Sequence, residues 1–373
     1  MNLSLFPTGF APDYSTSPGE TLREVLERLD ITQSELAERT SRPKKTINEI
    51  IQGKAAITPE TALQLERVLG IDASFWLNLE RGFRAAQARS DERVRLAEYL
   101  PWLNSLPVKE ILKRGWIKPH TDRIDLLREV LTFFGLAFPG AWNDVWAEAR
   151  KATALRQGKS PEVNFGVVAV WLRKGEVDGR SLECKPYDPS EFRGALDYLR
   201  TLTSLPAEKF CPEIQARCAS AGVAVTFVPE LPRLKIFGAA RWLSADKALI
   251  ELSLYYKRED QLWFSFFHEA GHILLHGRRD MFVDFDASST DRQEDEANRF
   301  ASEYLIPSAA YASFVARRDF SKLSILQFAK RVAIDPGIVV GRLQHDGKLE
   351  FSQLTYLRRR VAWSTEGAVV RVA

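Results

Sequence analysis

Residues 263–277 read WFSFFHEAGHILLHG, an apolar stretch whose only ionisable side chains are three histidines and one glutamate. The run predicts a buried helix over Asp260–His276, ended by the glycine that follows it. His268 and His272 are four residues apart and therefore lie on one face of that helix. Two imidazoles at this spacing can bind one zinc ion, while Glu269 beside them serves as a general base. The segment predicts a metal site on a buried helix.

A zinc ion bound by two histidines needs a third protein ligand if its fourth position is to stay open. The carboxylates downstream of the motif are Asp284, Asp286, Asp291, Glu294, Asp295 and Glu296. A second helix is predicted over Thr290–Leu305, and Glu294 falls on its inward stripe together with Asn298. We therefore favour Glu294 as the third ligand, with Glu296 as the alternative. The side chains predicted to lie beside the ligands without binding the metal are His276, Asn298 and Tyr304.

The sequence before the histidine helix changes from helical periodicity to alternation in three runs. These predicted strands are Val223–Val228, Ile236–Leu243 and Ala248–Leu254. They indicate a small mixed or antiparallel sheet. Upstream of them, helices are predicted at 107–114, 123–134, 141–157, 189–203 and 206–220, and an apolar run at 165–172 suits a buried element. From Phe320 onwards the pattern is again helical, with a short strand predicted at Val369–Val372. The fold class is therefore mainly α with a small β-sheet, an α+β arrangement.

The N-terminal segment has the features of a helix-turn-helix. Thr32 is followed by Glu35 in a capping box, which predicts a short helix that a tight turn joins to a second helix starting at Pro43. Residues 19–80 carry eight Lys and Arg against eleven Asp and Glu, yet residues 39–48 contain four basic and no acidic side chains. On this basic stretch the outward side chains are Arg42, Lys44, Lys45, Thr46 and Asn48. They predict contacts to DNA from the second helix.

Composition narrows the class of protein. The chain has 373 residues with 52 Lys and Arg against 49 Asp and Glu, a formal charge of +3 that by itself names no partner. Its three cysteines exclude a secreted disulfide framework and a thiolate zinc cage, so a reducing, cytoplasmic compartment is expected. No apolar run approaches the roughly 18 residues of a membrane span. Two or three domains are expected from the length.

The stretch TQSELAERTSRPKKTINEIIQGKAAITPETALQLERVLGIDASFWLNLE, residues 32–80, resembles the Xre-type helix-turn-helix family and its HigA-like antitoxin branch. The resemblance extends over about Gly19–Arg84. It implies binding of a double-stranded DNA operator as a homodimer, with half-sites roughly 34 Å apart. It also implies a phosphate contact from Gln33 and base or phosphate contacts from the outward residues of the second helix. Because Pro43 and two lysines replace the family's usual small polar residues and Gln, the operator sequence cannot be predicted.

Two further stretches, HEAGHILLHG at 268–277 and EDEANRFASEYLIP at 294–307, resemble the ImmA/IrrE metallopeptidase family. Together with the preceding strands, this resemblance covers about Cys211–Gly347. It implies a zinc site of His268, His272 and Glu294 with Glu269 as the general base. It further implies site-specific endopeptidase action on a regulatory protein such as a repressor or an antitoxin.

These observations predict a DNA-binding regulator that carries its own zinc endopeptidase, in a stress, phage or toxin-antitoxin circuit. The alternative is a non-enzymatic HigA-like regulator, with a toxin as its partner, whose metal domain is a sensor or interaction module. A weaker second helix-turn-helix pattern at 328–344 has Asp335, Pro336 and Gly337 where the first has Pro43 and two lysines, so it is expected to pack against the catalytic part. The arginines at 358–360 are expected to be solvated. The predicted domains are a loosely ordered leader at 1–18, the helix-turn-helix domain at 19–84, a helical middle region at 85–205, the metallopeptidase domain at 206–320 and a helical extension at 321–373.

Overall fold

The computed structural model describes residues 16–156, 164–278, 281–285 and 292–372. It divides into two compact units, one up to Leu100 and one from Pro101 onwards. Most of the predicted leader, residues 1–15, lies outside the described residues. Within the described part of the chain, no helix combines the length and the apolar character that a membrane span requires. The finer division into five segments remains a prediction.

The first unit is helical throughout its described residues. Its helices are α1 (Pro18–Leu29), α2 (Gln33–Arg39), α3 (Lys44–Ile51), α4 (Pro59–Leu69) and α5 (Ala73–Ala97). The predicted cap is present, because Thr32 Oγ1 accepts a hydrogen bond from the Glu35 amide at 3.2 Å. Helix α3 begins one residue later than predicted, with Pro43 at its N-cap. Leu36, Ile47 and Trp76 are buried in the shared core of these helices, which fixes α2 and α3 as a helix-turn-helix.

The second unit begins with helices and continues with a sheet flanked by further helices. The helices before the sheet are α6 (Val108–Lys113), α7 (Arg123–Phe134), α8 (Trp142–Val145), α9 (Ala147–Arg156), α10 (Phe165–Ser181), α11 (Pro189–Arg200) and α12 (Ala207–Ser220). The remaining elements are β1 (Val223–Phe227), β2 (Ile236–Ser244), β3 (Lys247–Leu252), α13 (Glu259–Leu275), β4 (Phe282–Phe285), α14 (Arg292–Leu305), α15 (Ser308–Ala316), α16 (Lys322–Val332), α17 (Pro336–His345), β5 (Arg360–Trp363) and β6 (Val369–Val372). The described 3₁₀ turns are Leu100–Ser105, Pro139–Ala141 and Thr355–Leu357.

The main sheet is mixed and has the strand order β1-β3-β2-β4. Strand β3 pairs with β1 in parallel and with β2 antiparallel, and β4 pairs antiparallel with β2. Side chains alternate across the sheet, as the period of two requires. Leu249 and Glu251 of β3 meet α10, whereas Ile250 and Leu252 join the core that contains α13. Helices on both faces explain why the strands are almost fully buried.

Three elements differ from the prediction. The apolar run at 165–172 is the first half of the long helix α10, where Gly175 and Gly179 let the helix lie directly on β3. Strand β4 was not predicted, and β5 replaces part of the helix expected at the C-terminus. Because β5 and β6 pair with each other, the predicted strand Val369–Val372 is confirmed as half of a hairpin.

The expectation of a solvated arginine run is wrong. Arg358 forms an ion pair with the buried carboxylate of Asp260, at 2.8 Å from Nη2 to Oδ2, and Arg359 pairs with Asp335 at 3.0 Å. Of the three arginines, Arg360 alone is exposed. The second helix-turn-helix pattern corresponds to α16 and α17, whose apolar side chains enter the core beside α13, so the expected packing role is confirmed.

Candidate metal centre and DNA-binding helix

Helices α13 and α14 carry the candidate metal ligands. The two helices pack closely because Gly271 of α13 has no side chain; an added Cβ would lie 3.1 Å from Phe300 and 3.3 Å from the Ala297 Cα. This close approach places Glu294, near the start of α14, opposite His268 and His272. Glu294, which the periodicity of the predicted helix favoured as the third ligand, therefore faces both histidines.

The three side chains converge on one point. His268 Nε2 lies 3.2 Å from one Glu294 carboxylate oxygen, and His272 Nε2 lies 3.1 Å from the other. The two imidazole Nε2 atoms are 3.0 Å apart. All three residues are buried, and one ligand atom from each lies within 4.8 Å of the others. Two imidazole nitrogens and a carboxylate oxygen form the donor set of a three-ligand catalytic zinc site, so these residues fit a divalent cation.

The buried ionisable groups at this point shift one another's pKa values. Burial disfavours protonation of His268, but Asp284, Glu294 and Glu269 outweigh it and raise the pKa of this imidazole to about 9. Burial likewise disfavours ionisation of Glu294, yet hydrogen bonds from His268 and His272 hold the pKa of its carboxyl well below the usual range. The carboxylate is therefore ionised at neutral pH and available as a ligand.

Both histidines are oriented by a contact to their other ring nitrogen. His268 Nδ1 lies 3.0 Å from Asn298 Oδ1 on α14. His272 Nδ1 lies 2.9 Å from His276 Nδ1, and His276 Nε2 lies 3.3 Å from Glu296. If each Nε2 binds a metal, each Nδ1 carries the proton and donates to these partners, which fixes the tautomer and the ring plane. His276 and Asn298 thus occupy the supporting positions proposed for them.

Glu269 is fully buried at the centre of the site. Its carboxylate lies against the β2 backbone at Gly238, where an added Cβ would be 2.6 Å from Oε1. Strand β4 completes the site on its other side. Phe282 stacks on the His272 ring with centroids 4.0 Å apart, and Asp284 has an oxygen within 4.8 Å of ligand atoms of His268 and Glu269.

Several candidates lie elsewhere. Glu296, the alternative ligand, contacts His276 and Arg292 and not the ligand cluster. Tyr304 stacks on Phe267 and donates its hydroxyl to Asp197 of α11 at 2.6 Å. Asp286 and Asp291 lie outside the described residues. Sequence reasoning missed the supporting strand β4, whose four residues carry too little periodicity to be recognised.

The second helix of the helix-turn-helix exposes much of its basic end. Lys44, Lys45 and Asn48 are exposed on α3, Thr46 is half-buried at its first turn, and Gln33 is half-buried at the start of α2. Arg42 is held against α4, since its Nε donates to Gln64 Oε1 at 2.5 Å and its Nη2 lies 3.4 Å from Glu60.

Comparison with known proteins identifies both parts of the chain. Residues 22–76 match the helix-turn-helix family, and residues 244–343 match a peptidase family described as the IrrE N-terminal-like domain. The chain is 35% identical over 71 residues to the HTH-type transcriptional regulator YddM of Escherichia coli, covering 19% of this chain and 76% of that protein. It is 36% identical over 77 residues to virulence-associated protein I of Dichelobacter nodosus, covering 20% and 71% of the two chains.

Among solved structures, the chain is similar to the Pseudomonas aeruginosa antitoxin HigA with the higBA promoter. The identity is 32%, the match covers 21% of this chain and 86% of that chain, and the TM-score is 0.21. A HigA-family antidote protein of Coxiella burnetii matches with 30% identity over 22% of this chain and 92% of that chain, with a TM-score of 0.21. By its sequence relatives and its two matched domains, the chain belongs to the Xre-type helix-turn-helix transcriptional regulators and carries an IrrE N-terminal-like peptidase-family domain in its second unit.

Proposed function

We propose that this regulator binds an operator through its first unit and cleaves a regulatory protein, such as a repressor or an antitoxin, with a zinc-dependent endopeptidase in its second unit. The convergence of His268, His272 and Glu294 beside the buried carboxylate of Glu269 carries the enzymatic part of the proposal. Purely structural roles for four buried ionisable groups would be costly, because each must be desolvated.

His268, His272 and Glu294 would hold the cation, which when bound supplies Lewis acidity to an attacking water and to the scissile carbonyl. Glu269 accepts the proton of the attacking water and returns it to the leaving amine. The β2 backbone at Gly238 keeps the Glu269 carboxylate in place for both transfers. Asn298 and His276 hold the imidazoles in the tautomer that leaves each Nε2 free to act as a ligand.

The DNA-binding part rests on the exposed Lys44, Lys45 and Asn48 of α3. Helix α3 follows α2 in the arrangement in which the second helix enters the major groove. A homodimer would present two such helices to half-sites of an operator. We also propose that the chain binds a toxin partner, as HigA-like antitoxins do.

Replacing Glu269 with glutamine tests the enzymatic part. The variant should retain its metal, lose cleavage and hold its substrate long enough for capture by cross-linking and mass spectrometry. Glu296→Gln is the matched control, because it changes a carboxylate close to the site that contacts no predicted ligand directly. Retained cleavage in Glu269→Gln would refute the mechanism. If wild type binds metal but cleaves none of the captured proteins, the metal domain is a sensor or an interaction module.

A further inference from the structure

A cavity of about 450 Å³ lies between α13, α14 and α17. One end of it adjoins the metal centre, because two of its lining residues contact a predicted ligand. Asn298 binds His268 Nδ1 at 3.0 Å, and the Phe264 ring centroid is 6.3 Å from that of His268. From there the cavity extends past Ser302 to Leu305 of α14 and to Asp260 of α13. The cavity therefore begins beside the Nδ1 side of His268, whereas the Nε2 atom of the same ring faces His272 and Glu294.

The walls of the cavity are largely apolar. Phe264, Leu305, Ile306 and Ile338 line it, and Gly341 contributes no side chain. The size falls within the range of about 300–1,000 Å³ that is typical of ligand sites. It is larger than any single side chain needs, so the cavity can accommodate two bulky residues of a bound polypeptide.

Two arginines, Arg299 and Arg342, and one carboxylate line the cavity. Its one lining carboxylate, Asp260, is already engaged by Arg358. Arg342 forms an ion pair with Asp346 at 2.8 Å, and His345 Nδ1 lies 3.0 Å from the same carboxylate.

Arg299 adds a further cation at the edge of the cavity. This residue is exposed, follows Asn298 in the chain, and forms no ion pair within the described part of the protein. A carboxylate on the occupant would pair with Arg299 without having to displace another acidic group.

We propose that this cavity is a substrate subsite that takes two adjacent bulky apolar residues of the target protein, with an acidic residue beside them held by Arg299. The inference rests on the proposed peptidase function. It adds the substrate class: targets are recognised through an apolar-acidic segment next to the bond that is cleaved.

Binding of labelled peptides to the zinc-loaded full chain carrying Glu269→Gln tests this, because binding does not require cleavage. The probes are Gly-Ser peptides that contain Leu-Phe-Glu, Leu-Phe-Lys or Ser-Ser-Glu, measured by fluorescence anisotropy. We expect Leu-Phe-Glu to bind at least tenfold more tightly than Ser-Ser-Glu and about fivefold more tightly than Leu-Phe-Lys. Arg299→Glu should reverse the preference for Glu over Lys, whereas Arg317→Glu, an exposed arginine outside the cavity, should leave it unchanged.

Filling the cavity should abolish the preference for Leu-Phe. Ile338→Trp fills the cavity from α17. Ser302→Phe fills it from a half-buried position, where a larger side chain strains the core less. Thermal melts and zinc content identify the variants that remain folded. Unchanged preferences in folded Ser302→Phe and Arg299→Glu overturn the proposal. The proposal is also overturned if the protein binds decanoate, a small amphipathic anion, tightly but binds none of the peptides. If the peptides bind as expected but wild type cleaves neither them nor the captured proteins, the cavity is a peptide-binding site and the proposed peptidase function fails.

Discussion

Gly238 is the backbone position that most directly controls Glu269. A Cβ added there would lie 2.6 Å from Oε1, 2.9 Å from Cγ and 3.0 Å from Cδ of the Glu269 side chain. An ordinary contact begins at 3.4 Å, so in Gly238→Ala the Oε1 atom must retreat by about 0.8 Å. Misplacement of a reacting group by about 1 Å can cost about 10²-fold in rate, and overpacking a core typically costs about 1–3 kcal/mol. We therefore expect a 10- to 100-fold lower kcat and a loss of about 1–3 kcal/mol in the free energy of unfolding.

The assay compares the hydrolysis of the captured substrate, zinc content and urea unfolding in wild type and Gly238→Ala. Zinc content should stay unchanged, because the added methyl group faces Glu269 and not a ligand. Gly194→Ala is the matched control. It lies in α11 with nothing within 4 Å of the added Cβ, so it should keep full activity and gain about 0.5–1 kcal/mol. If Gly238→Ala retains wild-type kcat, then the position of Glu269 is not set by β2 and the reasoning is wrong.

Three further predictions concern stability and DNA binding. Arg358→Met should cost about 3–5 kcal/mol in urea unfolding, because it leaves a buried carboxylate of α13 without its cation. Burial, opposed by Arg241, raises the pKa of Glu251 from 4.5 to about 8. Between these values the folded chain holds a proton that the unfolded chain has lost, so stability should fall as pH rises towards 8 and then level off; Glu251→Gln should flatten this slope in melts between pH 5 and 9. Lys44→Ala with Lys45→Ala should reduce the slope of log K against log salt by about 2 on the operator found by genomic footprinting.

The controls for these predictions lie close to each site. Arg360→Met removes the exposed neighbour of Arg358 and should change stability by less than about 0.5 kcal/mol. Equal losses for the two arginines would contradict the buried pair. If stability still falls with rising pH in Glu251→Gln, another group is responsible for the pH dependence. Lys322→Ala with Lys330→Ala, on α16 of the second unit, should leave the salt slope unchanged.

Local periodicity was sufficient to predict which side chains converge at the candidate metal centre. The apolar helix around His268 and His272 has an unambiguous period, and Glu294 was selected because it shares the inward stripe of α14 with Asn298. The same reasoning found the helix-turn-helix through the cap at Thr32. These features depend on residues close together in the chain, where helical geometry fixes which side chains share a face.

Contacts between distant residues could not be predicted in this way. Arg358 binds Asp260 across 98 positions, and nothing in the basic run at 358–360 distinguishes a buried cation from a solvated one. The first half of α10 was predicted only as a buried element and its second half was missed, because Gly175 and Gly179 are poor helix formers. In the fold these glycines allow the helix to lie directly on β3. Their role depends on tertiary packing that a single sequence does not reveal.

Elemental analysis of the purified full chain tests the central claim most directly. Wild type should contain about one zinc per chain, and Glu294→Gln should lose at least 90% of it, since it exchanges a charged ligand for a neutral amide; Glu296→Gln should keep it. A wild-type chain that binds no divalent metal from a zinc-containing medium would contradict the claim. So would a Glu294→Gln variant with the zinc content of wild type.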